Sequence, residues 1–252
     1  MAAGRMLALG RAELTLLGRN RMALYMALLM PLTMVWAMSG AMERVDLEET
    51  GMTANEVLMT GSFGYILLFA VYQNLVSAYV ARREELVLKR LRTGEAGDAE
   101  ILSGTALPAV AVAMAQSVLL LIAGVALLDL RAVARPDLVL AGLVLGVVLS
   151  VTLAAVTAGQ AKTVESAQLV TMPLFLVSLL GSGLFVPVEV MPETLADVCR
   201  LLPLTPVIDL IRGGWLGGMD AGEALRALGT ALVWSGLGVF AVRRWFRWEP
   251  RR

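Results

Sequence analysis

Charged residues are missing from long runs of this chain. Stretches 22–42, 57–81, 101–128, 138–161 and 166–188 contain no Asp, Glu, Lys or Arg, and a shorter sixth runs 227–242. About 20 apolar residues at 1.5 Å each cross the roughly 30 Å hydrocarbon core of a bilayer, so each long run predicts a transmembrane helix. Composition agrees: 58% of the 252 residues are hydrophobic and 17% charged, where a soluble domain carries about 45–50% and about 25%. The expected fold is an all-α membrane protein. It has six transmembrane helices, near 22–42, 57–81, 101–128, 138–161, 166–188 and 224–244, in a single membrane domain covering 1–252. Ordinary soluble enzymes and nucleic-acid-binding domains are excluded.

Lys and Arg gather on the cytoplasmic side of spanning helices. Residues 1–21 carry four, 82–100 five, 162–165 one and 243–252 five. The alternate segments are poorer, with one in 43–56, two in 129–137 and three in 189–226. Fifteen basic residues against six place both termini in the cytoplasm. Tyr25, Tyr79, Trp245 and Trp248 then fall near cytoplasmic ends and Trp36 near an external one, where interfacial rings belong.

No predicted span has an ionisable residue near its centre, which argues against proton relays and voltage sensing. With no histidine, a serine–histidine protease is impossible. The single cysteine, Cys199, excludes an intrachain disulfide and cysteine-based metal clusters. Uncharged polar residues do lie within spans: Gln73, Asn74, Gln116 and Gln168. They are candidates for a substrate path, or for plain hydrogen bonding between helices. Gly142 and Gly146 permit close helix packing in the fourth span. A phosphate-binding P-loop requires Gly-Lys-Ser/Thr. The two lysines follow Leu88 and Ala161, so energy for active transport has to come from another subunit.

Three further segments look like more than connectors. Residues 5–21 put Met6, Leu7, Leu9, Leu14, Leu16 and Leu17 on one helical half and Arg5, Arg11 and Arg19 on the other. That pattern predicts an amphipathic helix along the membrane surface. Segment 82–100 predicts a short charged helix, with Glu85 and Lys89 spaced for a helical ion pair, Gly94 as its stop and Asp98 as the cap of the next helix. Segment 189–220 holds two short apolar helices, one opened by Pro192 and one closed by Gly217-Gly218. About ten helical residues reach only about 15 Å, so a re-entrant or interfacial hairpin between the fifth and sixth spans is expected.

This combination resembles the membrane subunit of type-2 ATP-binding-cassette exporters, the ABC-2 permease family. The resemblance rests on Gly183-Leu184-Phe185-Val186-Pro187-Val188-Glu189-Val190-Met191-Pro192, on Leu202-Pro203-Leu204-Thr205-Pro206 with Ile211-Arg212, and on the charged stretch from Arg83 to Leu102. It implies that 5–21 is a connecting helix and that 82–100 contains the main coupling helix for a separate ATPase subunit. Its contacts there are Glu84, Glu85, Leu86, Leu88, Lys89, Arg90, Leu91 and Arg92. Lys162 and Glu165 form a smaller second contact, and 189–220 closes the path externally. Two permeases and two ATPases make the transporter. ATP and Mg bind the partner, and this chain carries no cofactor or metal. The implied role is export of a drug, natural product or lipid-like molecule across a bacterial cell membrane. Two other classes stay open on residues alone: a secondary transporter or channel, and a non-transporting receptor or assembly protein.

Overall fold

The computed structural model describes residues 51–93, 97–127 and 132–246, with Thr33, Ala37, Leu47 and Trp248 as isolated positions. The expected surface helix 5–21 and the first predicted span, 22–42, lie outside these residues. The described residues form helices joined by short turns, with no strand among them.

Five helices are long and apolar enough to cross a membrane. They are α1 (Ala54–Glu84), α3 (Asp98–Leu127), α4 (Pro136–Ala158), α5 (Val164–Gly181) and α8 (Ala221–Trp245). Between them lie α2 (Val87–Arg92), α6 (Glu193–Arg200) and α7 (Thr205–Leu216). Helix starts follow local chemistry. Thr53 with Glu56, Thr163 with Ser166 and Asp220 with Glu223 are reciprocal capping boxes, each satisfying two backbone N–H groups that have no partner within the helix. Pro136 opens α4, where its missing N–H costs nothing. Where predicted spans fall on described residues, they match the observed helices within about three residues except at the fifth. That run was expected to reach 188, but α5 stops at Gly181, and the chain turns through Gly183 at φ +73° before Pro187. Positive φ is open to glycine at no steric cost.

α1 is the central helix. In its most apolar stretch 72% is buried inside the protein, against 17% for α5 and for α8. The outer helices leave Val118, Ile122, Leu140, Val144, Leu169, Leu180, Leu232 and Phe240 uncovered. Water would penalise so continuous an apolar surface; lipid does not.

Within α1, residues Leu67–Gln73 are wound as a π-helix. Such insertions are rare and shift the helix face that follows them. Tyr72, in this stretch, donates its hydroxyl to Thr157 Oγ1 of α4 at 3.2 Å. The short helix α7 is wedged into the bundle, packing chiefly on α4 and also on α1 and α8. Gly142 and Gly146 make room for it, as the spacing predicted. A Cβ on Gly142 would lie 2.8 Å from Ile211 Cγ1, and one on Gly146 would lie 2.9 Å from Val207 Cγ1.

Candidate functional site

One end of the bundle gathers the C-terminus of α1, all of α2, the start of α3, the α4–α5 turn and the residues after α8. α1 ends at Glu84, and Leu86 adopts the left-handed conformation at φ 60° and ψ 14°. Its N–H donates to Arg83 O at 3.1 Å, and the Glu85 N–H donates to Ala81 O at 3.0 Å. This is a helix C-terminus of the kind glycine usually supplies. A β-carbon in this region costs on the order of 1–2 kcal/mol, so the surrounding packing holds Leu86 there.

The break corrects two expectations for 82–93. Glu85 and Lys89 do not share a helix, so the four-residue spacing does not make them neighbours. Of the three leucines implied as contacts, not all face outward. Leu88 is buried against the protein itself, Leu91 is half-buried, and Leu86 is 40% exposed. Glu84, Glu85, Lys89, Arg90 and Arg92 are exposed beside it. Asp98 is the first helical residue of α3 rather than its cap, and Glu100 accepts the Gly97 N–H at 3.2 Å.

The α4–α5 turn lies at the same end. Lys162 and Glu165 are exposed there, while Ser166 Oγ accepts the N–H groups of Lys162 at 3.0 Å and Thr163 at 2.9 Å. Arg83, on the last turn of α1, is 1% exposed. It donates Nη1 to Ala158 O at 2.9 Å and Nη2 to Ala161 O, reaching the final residue of α4 and the turn after it. Tyr79, expected as an interfacial ring, is buried instead and donates to Leu102 O of α3 at 2.9 Å. Beyond α8, Phe246 packs edge-on against Tyr79 at 6.0 Å, and Trp248 lies under the Arg92 guanidinium at 4.8 Å. Arg92 also pairs with Asp98 at 3.1 Å across the α2–α3 loop.

At another place in the bundle, the short helices α6 and α7 lie between the last two long helices. Arg212 is buried and donates Nε to Thr60 Oγ1 of α1 at 3.3 Å and Nη2 to Gly183 O. One turn earlier, Asp209 is half-buried. Burial, with the negative charge of Glu189, raises its carboxyl to about 6, while Arg212 and Arg200 oppose the shift. α1 touches the turn after α5 without a side chain between them: a Cβ on Gly61 would lie 1.6 Å from Leu184 O. The C-terminus of α7 is sewn to the residues before α4 by Arg135 N to Gly214 O, 2.7 Å, and Ala134 N to Trp215 O, 3.1 Å. α6 turns Ala196 and Cys199 inward and leaves Leu195, Val198 and Leu201 exposed.

Long apolar helices around a buried centre, a wedged short helix and a charged end agree with a membrane transporter subunit. A family model described as ABC-2 type transporter matches residues 5–216. The chain belongs to the ABC-2 type transporter family. No curated protein matches it. As an ABC-2 membrane domain, it is a multi-pass membrane protein and the permease part of an ABC transporter. The family's membrane subunit is not itself an ATPase and generally works with an ATP-binding subunit.

Within this ABC-2 domain the four polar span residues occupy different environments. Gln73 is the last residue of the π segment and is half-buried, and Asn74 follows it, exposed, with Nδ2 on Ala70 O at 3.4 Å. Gln116 is buried in α3, and Gln168 is exposed on α5. The sequence reading used Arg83 and Arg212 as loop charge and as part of the family resemblance, and gave neither a buried role. A signal existed for each. Tyr72, Val76, Tyr79 and Arg83 keep the 4-3-4 spacing of one buried helix stripe, and Ile208, Arg212 and Trp215 keep 4-3.

Proposed function

We propose that this chain is the permease subunit of an ATP-binding-cassette exporter that moves a hydrophobic or amphipathic molecule, of the drug, natural-product or lipid class, out of a bacterial cell. Two copies assemble with two copies of a separate ATPase, which binds ATP and Mg. Both termini are cytoplasmic, and the described five spans are joined by a sixth at 22–42, preceded by a surface helix at 5–21. α2 is the main coupling helix, with Lys162 and Glu165 as a second contact. The α6–α7 hairpin is external and re-entrant, and Gln73, Asn74, Gln116 and Gln168 border the substrate path.

The observation carrying this reading is the family match over 5–216, taken with the absence of any Gly-Lys-Ser/Thr in the sequence. The structure supports assigning docking to the α2 end. Leu86 is an exposed apolar residue amid Glu84, Glu85, Arg90 and Arg92, an apolar anchor inside a charged rim. Leu88 is not part of that anchor, since its side chain is already buried at home. The re-entrant assignment is supported by the length of α7, 12 residues, about 18 Å and too short to span, and by its burial among α1, α4 and α8.

Affinity purification of the tagged full-length chain from its native membrane tests the proposal. An ATP-binding-cassette protein is expected in the eluate, with ATP hydrolysis that disappears when that protein is omitted from reconstitution. Hydrolysis by the permease alone, or a complex lacking any such ATPase, would overturn it.

A further inference from the structure

Arg83 joins two elements that lie far apart in the sequence. It sits on the last turn of α1, immediately before the left-handed break at Leu86 and the start of α2 at Val87. Its guanidinium is enclosed by the protein at 1% exposure. Nη1 donates to Ala158 O, the last carbonyl of α4, and Nη2 donates to Ala161 O, next to Lys162. The closing carbonyls of a helix have no intrahelical donor and carry the negative end of its dipole, so a cation there is stabilised in two ways. A planar fork with several N–H groups can hold two carbonyls at once; an ammonium on a flexible stem cannot fix both directions together. Burying such a cation is unfavourable unless its hydrogen bonds are made in good geometry, and that requirement locks α1 to the α4–α5 turn.

Resting on the coupling role given above to α2 and to Lys162–Glu165, we infer that Arg83 is a positioning residue that makes the two ATPase contacts one rigid body. α2 leaves α1 within four residues of Arg83, and Lys162 follows the carbonyl that Arg83 holds. A push delivered at either contact therefore moves α1 and α4 together, and α4 is the helix on which α7 chiefly packs. Motion of the partner reaches the hairpin through α4 instead of being lost as play between two loosely joined turns. Coupling of this kind needs contiguous elements with a defined arrangement, and the Arg83 bonds supply the junction.

The test uses the full chain in lipid nanodiscs, with Cys199→Ser removing the native thiol and spin labels on Thr93→Cys and Lys162→Cys, both exposed positions. With Arg83 in place, the interlabel distance is expected to form one narrow distribution, unchanged between the nucleotide-free and vanadate-trapped complexes. Arg83→Gln is expected to lose the single narrow peak and to show a distance that shifts on trapping, while still copurifying with the ATPase. Arg83→Lys, which keeps the charge without the fork, is expected to lie between them. An Arg83→Gln distribution as narrow as the parent's, or a parent distance that changes on trapping, overturns the inference. If Arg83→Gln fails to reach the membrane, Arg83→Lys decides: a peak as narrow as the parent's refutes the clamp. Failure of the parent to bind any ATPase would count against the proposed function alone, because the nucleotide-free widths still test the junction.

Discussion

The contact between α1 and the turn after α5 sets up a graded experiment with glycine. A Cβ at Gly61 would sit 1.6 Å from Leu184 O and 2.6 Å from its carbonyl carbon, so backbone has to move to admit it. At Gly64 the nearest atoms are Ile208 Cδ1 at 2.4 Å and Leu184 Cγ at 2.9 Å, which are side-chain atoms able to rotate away. At Gly229, on α8, nothing lies within 4 Å. Restoring ordinary contact at Gly61 means shifting Leu184 by well over 1 Å, which strains the turn and pulls Gly183 O from Arg212. Overpacking of this kind costs about 1–3 kcal/mol and more where backbone must move, so Gly61→Ala should lose on the order of 3 kcal/mol. Gly64→Ala should lose about 1 kcal/mol. Gly229→Ala should be neutral or gain up to about 1 kcal/mol from helix propensity. For a chain of this size 1 kcal/mol corresponds to about 2–4 °C. Thermal unfolding of the three purified variants in one detergent should then rank Gly229→Ala above Gly64→Ala and Gly61→Ala lowest, with the last down by roughly 10 °C. A Gly61→Ala protein as stable as Gly64→Ala would refute the close approach of α1 to Leu184.

Other consequences concern the charged end. Leu86→Gly removes a left-handed leucine and should raise stability by about 1 kcal/mol, measured as an upward shift in unfolding temperature; Leu86→Ala, which keeps the β-carbon, should not. Leu88→Ala should cost about 2–5 kcal/mol as a core cavity, seen as a lowered unfolding temperature. By contrast, Leu86→Ala with Leu91→Ala should leave the protein in the membrane and abolish ATPase-driven transport, scored by loss of export in cells. Trp248→Ala removes the ring beneath Arg92, a contact worth about 0.5–1 kcal/mol, and should speed amide exchange in residues 87–93.

Much of the fold could be read directly because charge is so costly in hydrocarbon. The empty runs 57–81, 101–128 and 138–161 mark three helices to within three residues at either end. Pro192 precedes the first turn of α6 and Gly217-Gly218 follow the last of α7, the two glycines at φ +77° and +84°. The π stretch Leu67–Gln73 was not legible, because an apolar run reads the same whether it is wound with 3.6 or more residues per turn. Leu86 gave no warning either: a left-handed leucine is held by tertiary packing, and sequence signals for that conformation point to glycine or asparagine. The early end of α5 could have been found from Gly181, Gly183 and Pro187 together, but the absence of charge through 188 outweighed them. At the charged end, residue types suggested which side chains would face outward, and burial corrected that list. Leu88 belongs to the core, and Arg83, within a run counted as loop charge, is the most enclosed cation among the described residues there.

The proposed function stands or falls on whether an ATPase docks at the α2 end. A photo-cross-linking residue placed at Arg90, exposed on α2, should give an adduct with the ATP-binding-cassette subunit in native membranes. The same residue at Leu195, exposed on the hairpin, should give none. An ATPase adduct from Leu195, or a stable complex that never cross-links from Arg90, would contradict it.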